Sequence, residues 1–336
     1  MISIKDIARA ARVSHSTVSR ALHDSPLVNP RTRAKIRRIA QEKGYTPSAV
    51  ARSLVNRRTD TIGVVVTSIA DPFIGEVVSG IEEVALANDY SVVLATCHAD
   101  PDREVRAVRG FHERRVDGIL VAASRVGALY VPMLSEMRVP IVLINNQHPG
   151  EFVFTVTIDN VNGARDATRH LVEFGHRLIA YIGDQFGLQS DTERFTGYRQ
   201  VLEESGIGFQ PKLVGQGDGL PEGGRRAMAR LLDARPRPTA VFCYNDLSAL
   251  GAMRAARDRG LRVPEDLSVA GFDDLFLSSY ADPPLTTVQQ PKQEMGREAA
   301  RLVLGLLSGG KPESRVHRGK LIVRESTAPP REATTT

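Results

Sequence analysis

From Thr61 onward, apolar runs of strand length alternate with stretches whose apolar residues fall at helical spacing. The runs are TIGVVVTS (61–68), SVVLAT (91–96), VDGILVAA (116–123) and VPIVLIN (139–145), then TVTID (155–159), LIAYIGD (178–184), KLVGQG (212–217), TAVFCYND (239–246) and LSVAGFDD (267–274). Strands this continuously apolar are covered on both faces, which predicts parallel sheets flanked by helices. Helices fill the gaps, for example 74–88, 161–174 and 247–260, the last with Leu247, Leu250, Gly251 and Arg254 on one face. Two doubly wound lobes are the economical arrangement. The C-terminal STAPPREATTT is polar and Pro-containing and is expected to be disordered.

Residues 1–46 follow a different rhythm, that of three short helices. Ser3 and Asp6 have capping spacing, and Ile4, Ile7, Ala8 and Ala11 make one apolar stripe. Ser14 caps a second helix running to about Leu22; Val18, Ala21 and Leu22 point inward, and Ser16, Ser19, Arg20 and His23 point out. Asn29 and Pro30 open a third, with Ile36, Ile39 and Ala40 inward and Gly44 as its stop. So small a unit buries little and is expected to be marginally stable. Residues 47–58, PSAVARSLVNRR, carry only Ala49, Val50, Ala51, Leu54 and Val55 as apolar content and read as a linker. Twelve residues form a helix in water only marginally, so helix here is expected on binding.

Charge sharpens the division. The net charge of +5 over 336 residues conceals 13 Lys/Arg against 4 Asp/Glu in residues 1–60, while the remainder is slightly acidic, with 31 against 35. The basic end calls for an anionic partner, and it lacks the Trp/Phe/Leu face of a membrane-surface helix, so nucleic acid is the expected one. A mean hydropathy of −0.18, no apolar run long enough to span a bilayer and no signal-like N-terminus predict a cytoplasmic protein without membrane association. Cys97 and Cys243 are too few for a disulfide framework and are expected to be buried thiols.

Catalytic chemistry is not signalled. The first strand leads into SIADPF (68–73) in place of a Gly-x-Gly-x-x-Gly turn. Gly310-Lys311-Pro312 and Gly319-Lys320-Leu321 lack the hydroxyl residue of a P-loop, and the histidines lack metal-ligand spacing. No enzyme activity, cofactor or metal is expected. A polar residue does recur at the predicted carboxyl ends of strands: Asp71, Asn145, Asp184, Asn245 and Asp246, Asp273 and Asp274. Ligands of open α/β sheets bind at those ends, and such carboxylates and amides suit a polyhydroxylated ligand. The competing reading is that these groups merely cap the helices that follow.

The segments SIKDIARAARVSHSTVSRAL, GYTPSAVARSL, FGHRLIAYIGD, YNDLSALGAMRAARDRGLRVPEDLSVAGFDD and PPLTTVQQP resemble the lac repressor family of bacterial transcription regulators, in order and over nearly the whole chain. The resemblance implies a small all-α helix-turn-helix head (1–46) and a hinge helix (47–58). After these comes an effector-binding and dimerisation region (59–336) like the periplasmic sugar-binding proteins. Its two doubly wound parallel-sheet lobes are expected at about 61–158 with 290–318, and 159–289 with 319–328. It implies that His15, Ser16 and Arg20 read bases in the major groove of an operator, Arg20 forking onto a guanine, while Thr17 and Ser19 bind phosphate. Ala51 and Leu54 belong to the hinge, where Leu54 is the minor-groove wedge.

For the cleft between the lobes, the resemblance implies an effector held by Asn145, Arg194, Asn245 and Asp273, with Asp71 and Phe73 from the first lobe. The partners implied are a pseudopalindromic operator in double-stranded DNA, a carbohydrate-like small molecule and a second copy of the chain, acting as a repressor. A purine or phosphoprotein corepressor is the alternative. Residues 327–336 carry no leucine, which predicts a dimer and no larger helical assembly. Three positions depart from the family pattern. Arg12 stands where Gly or Asn is frequent in the turn, so the turn is expected to adjust; His23 replaces a frequent Asn; and Gly219 stands where relatives place a stacking aromatic.

Overall fold

The computed structural model describes residues 2–22, 24–45, 58–122, 124, 126, 137, 139–146 and 154–331. The expectations for His23, Ala51 and Leu54 fall outside the described residues. The chain divides into two units, Met1–Thr59 and Asp60–Thr336.

The first unit holds α1 (Ile4–Ala11), α2 (His15–Leu22) and α3 (Pro30–Glu42) around a core of Ile7, Ala8, Ala11, Val18, Ala21, Val28, Ile36 and Ala40. Asp6 reaches back to the Ser3 N–H at 3.0 Å and takes the Ser3 hydroxyl at 2.7 Å, tying off the first turn of α1. Ser14 Oγ accepts from the Thr17 N–H at 3.1 Å and Asn29 Oδ1 from the Arg31 N–H at 2.9 Å, starting α2 and α3 where the sequence places them. The turn between α1 and α2 is not adjusted around Arg12. That residue sits at φ 58°, ψ 48°, which lets the Val13 N–H return to the Ala8 carbonyl at 3.0 Å.

The second unit contains two six-stranded sheets. The first has the order β11-β5-β4-β3-β1-β2, all neighbours parallel, from β1 (Thr61–Val66), β2 (Ser91–Thr96), β3 (Gly118–Ala122), β4 (Ile141–Ile144), β5 (Phe154–Ile158) and β11 (Arg315–His317). The second has the order β12-β10-β9-β8-β6-β7, from β6 (Ile179–Asp184), β7 (Val214–Gly217), β8 (Ala240–Cys243), β9 (Ser268–Asp273), β10 (Thr286–Gln289) and β12 (Lys320–Ile322), parallel except where β12 runs against β10. The chain therefore passes between lobes three times: after β5, after β10 and after β11.

In the first lobe, α4 (Pro72–Ala87) and α11 (Lys292–Leu307) cover one face, and α5 (Pro101–Glu113) covers the other. In the second, α6 (Asn160–Glu173) and α7 (Gln189–Glu204) cover one face, and α8 (Pro221–Leu231) with α9 (Asp246–Asp258) the other; a short α10 (Phe276–Ser279) follows β9. Helices pair by backbone contact at glycines. A Cβ on Gly80 would lie 2.0 Å from the Gln293 carbonyl oxygen, and one on Gly296 2.0 Å from that of Val77, so α4 and α11 approach reciprocally. Gly224 and Gly251 do the same for α8 and α9, against the carbonyls of Ser248 and Pro221.

Both cysteines are buried and free, and burial pushes the Cys243 thiol well above its ordinary range. The start of the C-terminal segment is not disordered: Ser326 is fully buried, its Oγ donating to the Val269 carbonyl at 2.6 Å and accepting from the Thr286 N–H at 2.8 Å. The Ala328 carbonyl takes hydrogen bonds from Ser268 and the ring of His176, both at 2.9 Å. Polarity here serves sheet-edge bonding, which composition alone does not reveal.

Candidate nucleic-acid interface and ligand cleft

In the first unit, α2 presents His15, Ser16 and Arg20 to solvent, with Thr17 and Ser19 half-buried beside them. His15 and Ser16 occupy the first two positions of the helix, and Arg20 lies one turn beyond Ser16 on the same face. Arg20 has no acidic partner among the described residues, so its guanidinium fork is available to an external acceptor. The Thr17 hydroxyl is engaged with Ser14 Oγ at 2.8 Å, which fixes its direction. Arg33 and Arg37, by contrast, are drawn to Asp24 at 3.5 and 2.5 Å.

In the second unit, strand order sets the location of a site. In each sheet the order of strand addition switches sides between the first strand and the strand two further along the chain, at the parallel pairs β1 and β3 and β6 and β8, and a crevice opens at the carboxyl ends beside such a switch. Asp71 follows β1, Asp184 ends β6, Asn245 follows β8, and Asp273 ends β9.

Arg194, on α7, is only 3% exposed. Its guanidinium lies 3.7 Å over the Phe272 ring; Nε donates to Asn160 Oδ1 at 2.9 Å, Nη1 to the Tyr244 carbonyl at 2.5 Å, and Nη1 lies 3.8 Å from the Asp273 carboxylate. Nη2 makes no hydrogen bond among the described residues. Burial pushes the Asp273 carboxyl up to about 8, against the downward pull of Arg194. Asp273 Oδ1 accepts from Gln290 Nε2 at 2.6 Å, and Gln290 Oε1 accepts from Asn145 Nδ2 at 3.2 Å, carrying the network to the end of β4 in the other lobe. Asn145 is left-handed at φ 56°, and its buried Oδ1 has no partner among the described residues. An unsatisfied buried acceptor costs free energy unless something donates to it.

The other expected residues divide. Asp71 and Asn245 both cap helices, accepting from the N–H groups of Phe73 and Ser248 at 2.9 Å each, so for these two the capping reading holds. Asp71 still reaches the cleft electrostatically, because its charge raises Asp273; its own carboxyl is raised by burial. Asn245 Nδ2 also donates to the Gly219 carbonyl at 2.9 Å. Phe73 packs into the first lobe's core with Ile74, Val77, Leu247 and Leu275. Gly219 is explained by its surroundings: it lies at φ 78°, and a Cβ there would meet the Tyr244 hydroxyl at 2.7 Å. Tyr244 fills the space of the missing side chain. Sequence reasoning missed Tyr244, Asn160 and Gln290. Asn160 directly follows the run TVTID and Gln290 lies within the quoted segment PPLTTVQQP, while Tyr244 is hidden at the end of an apolar run.

Residues 3–48 match the bacterial regulatory proteins of the lacI family, and residues 168–327 match the periplasmic binding protein-like domain. The HTH-type transcriptional repressor CytR of Escherichia coli K12 is 39% identical over 329 residues, covering 97% of this chain and 96% of its own. The chain belongs to the lacI family. It is accordingly a DNA-binding transcriptional regulator and not an enzyme. The HTH-type transcriptional regulator CelR of Thermobifida fusca is 38% identical over 333 residues, covering 96% of this chain and 98% of its own. A solved CelR–cellobiose complex superimposes with a TM-score of 0.74 at 37% identity, covering 97% of this chain and all of the other. A lac repressor dimer bound to operator and the anti-inducer ONPF gives a TM-score of 0.85 at 28% identity, over 97% and 99%. No helix among the described residues is long and apolar enough to cross a membrane.

Proposed function

We propose that this lacI-family chain acts as a homodimeric repressor. The head, 1–46, grips two-fold-related half-sites of an operator through His15, Ser16 and Arg20, with Thr17 and Ser19 on phosphates. The segment 47–58 carries Ala51 and the wedge Leu54, and 59–336 senses a carbohydrate in the interlobe cleft. The carrying observation is a triad of polar atoms left open among the described residues at the crevice: Arg194 Nη2 as donor, the Asp273 carboxyl oxygen that Gln290 does not take, and Asn145 Oδ1 as acceptor, the last from the opposite lobe. A polyol, whose hydroxyls donate and accept at once, answers all three. The cellobiose held by the CelR structure supports that ligand class, and the lac repressor dimer supports the assembly. Exposed apolar side chains support a second copy: Leu86 and Tyr280 are 73% and 84% exposed, with Val93 and Leu94 on the open edge strand β2.

Selection of duplexes from a random pool, then calorimetry with neutral sugars, sugar phosphates and purines, tests the reading. The expected outcome is a motif with symmetric halves and heat from a neutral sugar, lost in Arg194→Ala and retained in Arg20→Ala. Heat from purines alone, or selection of no symmetric motif, overturns it.

A further inference from the structure

Asp273 and Asp274 are consecutive non-glycine residues with φ of 127° and 53°. Backbone in these regions persists only where its surroundings over-determine it. Both carbonyls of the pair are held by a single buried cation. Lys292, the first residue of α11 and 5% exposed, donates from Nζ to the Asp273 carbonyl at 2.9 Å and to the Asp274 carbonyl at 2.7 Å. Its third neighbour, at 3.5 Å, is Glu76 Oε1 on α4 of the first lobe. An ammonium has three hydrogens and no acceptor capacity. Here two cross to the second lobe and hold the strained turn that aims Asp273 at the cleft, and the third faces Glu76 on the neighbouring helix of the first lobe.

We propose that Lys292 is a positioning residue that joins the effector-site turn to the placement of the first lobe, through one ammonium shared between Asp273–Asp274 and Glu76. The proposal rests on the reading of the cleft as the effector site. α4 and α11 move together, so drawing the first lobe away from the second pulls the Glu76-oriented ammonium off both carbonyls and loosens the clamp on the turn. Conversely, a ligand that orders Asp273 strengthens the Glu76 contact, because coupling of this kind is reciprocal. The side chains of the turn are held separately, Asp273 by Gln290 Nε2 at 2.6 Å and Asp274 by Gln289 Nε2 and Arg324 Nη2 at 2.9 and 2.7 Å, so the ammonium's part is the two carbonyls.

The test measures the distance between spin labels on cysteines placed at the exposed positions Arg109 and Glu203, one per lobe. It uses full-length chain mixed with excess unlabelled chain, so that each pair reports one protomer. Glu76→Gln, Lys292→Met and the double variant are compared with the parent. A shared ammonium predicts that each single variant shifts the mean distance and broadens the distribution, and that the double variant shifts it no further than Lys292→Met alone. Distributions matching the parent in both single variants, or shifts that sum in the double, overturn the proposal. Should Lys292→Met fail to fold, Glu76→Gln decides alone: an unchanged distribution overturns the proposal and a shifted one supports it. The readout uses neither sugar nor DNA, so its failure is distinguishable from failure of the effector reading.

Discussion

Arg12 holds a left-handed conformation that costs a side-chain-bearing residue about 1–2 kcal/mol. Arg12→Gly relieves the strain but adds freedom to the unfolded chain, so a net gain of about 0.5–1 kcal/mol is expected. Urea unfolding followed through the head's helical signal checks it. Arg194 presents the opposite case, a buried cation whose removal takes a donor from the Tyr244 carbonyl and leaves the Asp273 carboxyl with Gln290 but no neighbouring positive guanidinium. Asp273 can take up a proton, so Arg194→Ala is expected to cost about 1–3 kcal/mol and not the larger penalty of an isolated buried charge. Chemical denaturation at neutral pH measures that cost. On the DNA side, Arg20→Ala is expected to lose about 1–3 kcal/mol of discrimination at one base pair with little change in stability, read by competition between operator variants. Arg194 and Asp273 were legible through family resemblance, and Asp273 also from its place at a strand end. Tyr244 was not: it closes the run TAVFCY, and an aromatic there reads as core until the fold brings Gly219 against it.

Long apolar strands announced themselves, and their cores match the runs read from sequence: β1 and β2 begin where the apolar pattern does. β10, β11 and β12 did not. Thr286–Gln289 alternates threonines with few aliphatics, and Arg315–His317 and Lys320–Ile322 are three residues each, too short for a period to appear. Their pairing is set by neighbours distant in sequence. Helix pairing was equally hidden, because a glycine in a helical stretch reads as a weakness until its partner is known. In α4 the two cases lie side by side. Gly80→Ala is expected to destabilise by about 1–3 kcal/mol by forcing α4 off α11, whereas Gly75, with nothing within 4 Å, is expected to gain about 0.5–1 kcal/mol as alanine. Thermal melting of the two variants gives shifts of opposite sign if the helix contact has the importance assigned to it.

Across the second unit, burial leaves several carboxyls holding their protons too tightly, Asp71 and Asp246 among them, with Asp191 at about 6 and Asp273 at about 8 the two that reach furthest into the working pH range. Unfolding returns both to the ordinary carboxylate range. Between about pH 4 and 8 the folded protein therefore binds more protons than the unfolded chain, and these groups make stability fall as pH rises through that window. Asp273→Asn is expected to flatten the portion between about pH 6 and 8, as measured by urea midpoints at several pH values; an unaltered slope would show that Asp273 is ionised well below that range.

The three passages of the chain between lobes bear on how the protein is made. The first sheet waits for residues 315–317 and the second for residues 320–322, so neither can close its outer edge until every other strand of both sheets has left the ribosome. The nascent chain carries two unfinished edges at once, each a template for mispairing with a neighbouring copy, and the eight residues 315–322 end that exposure for both together.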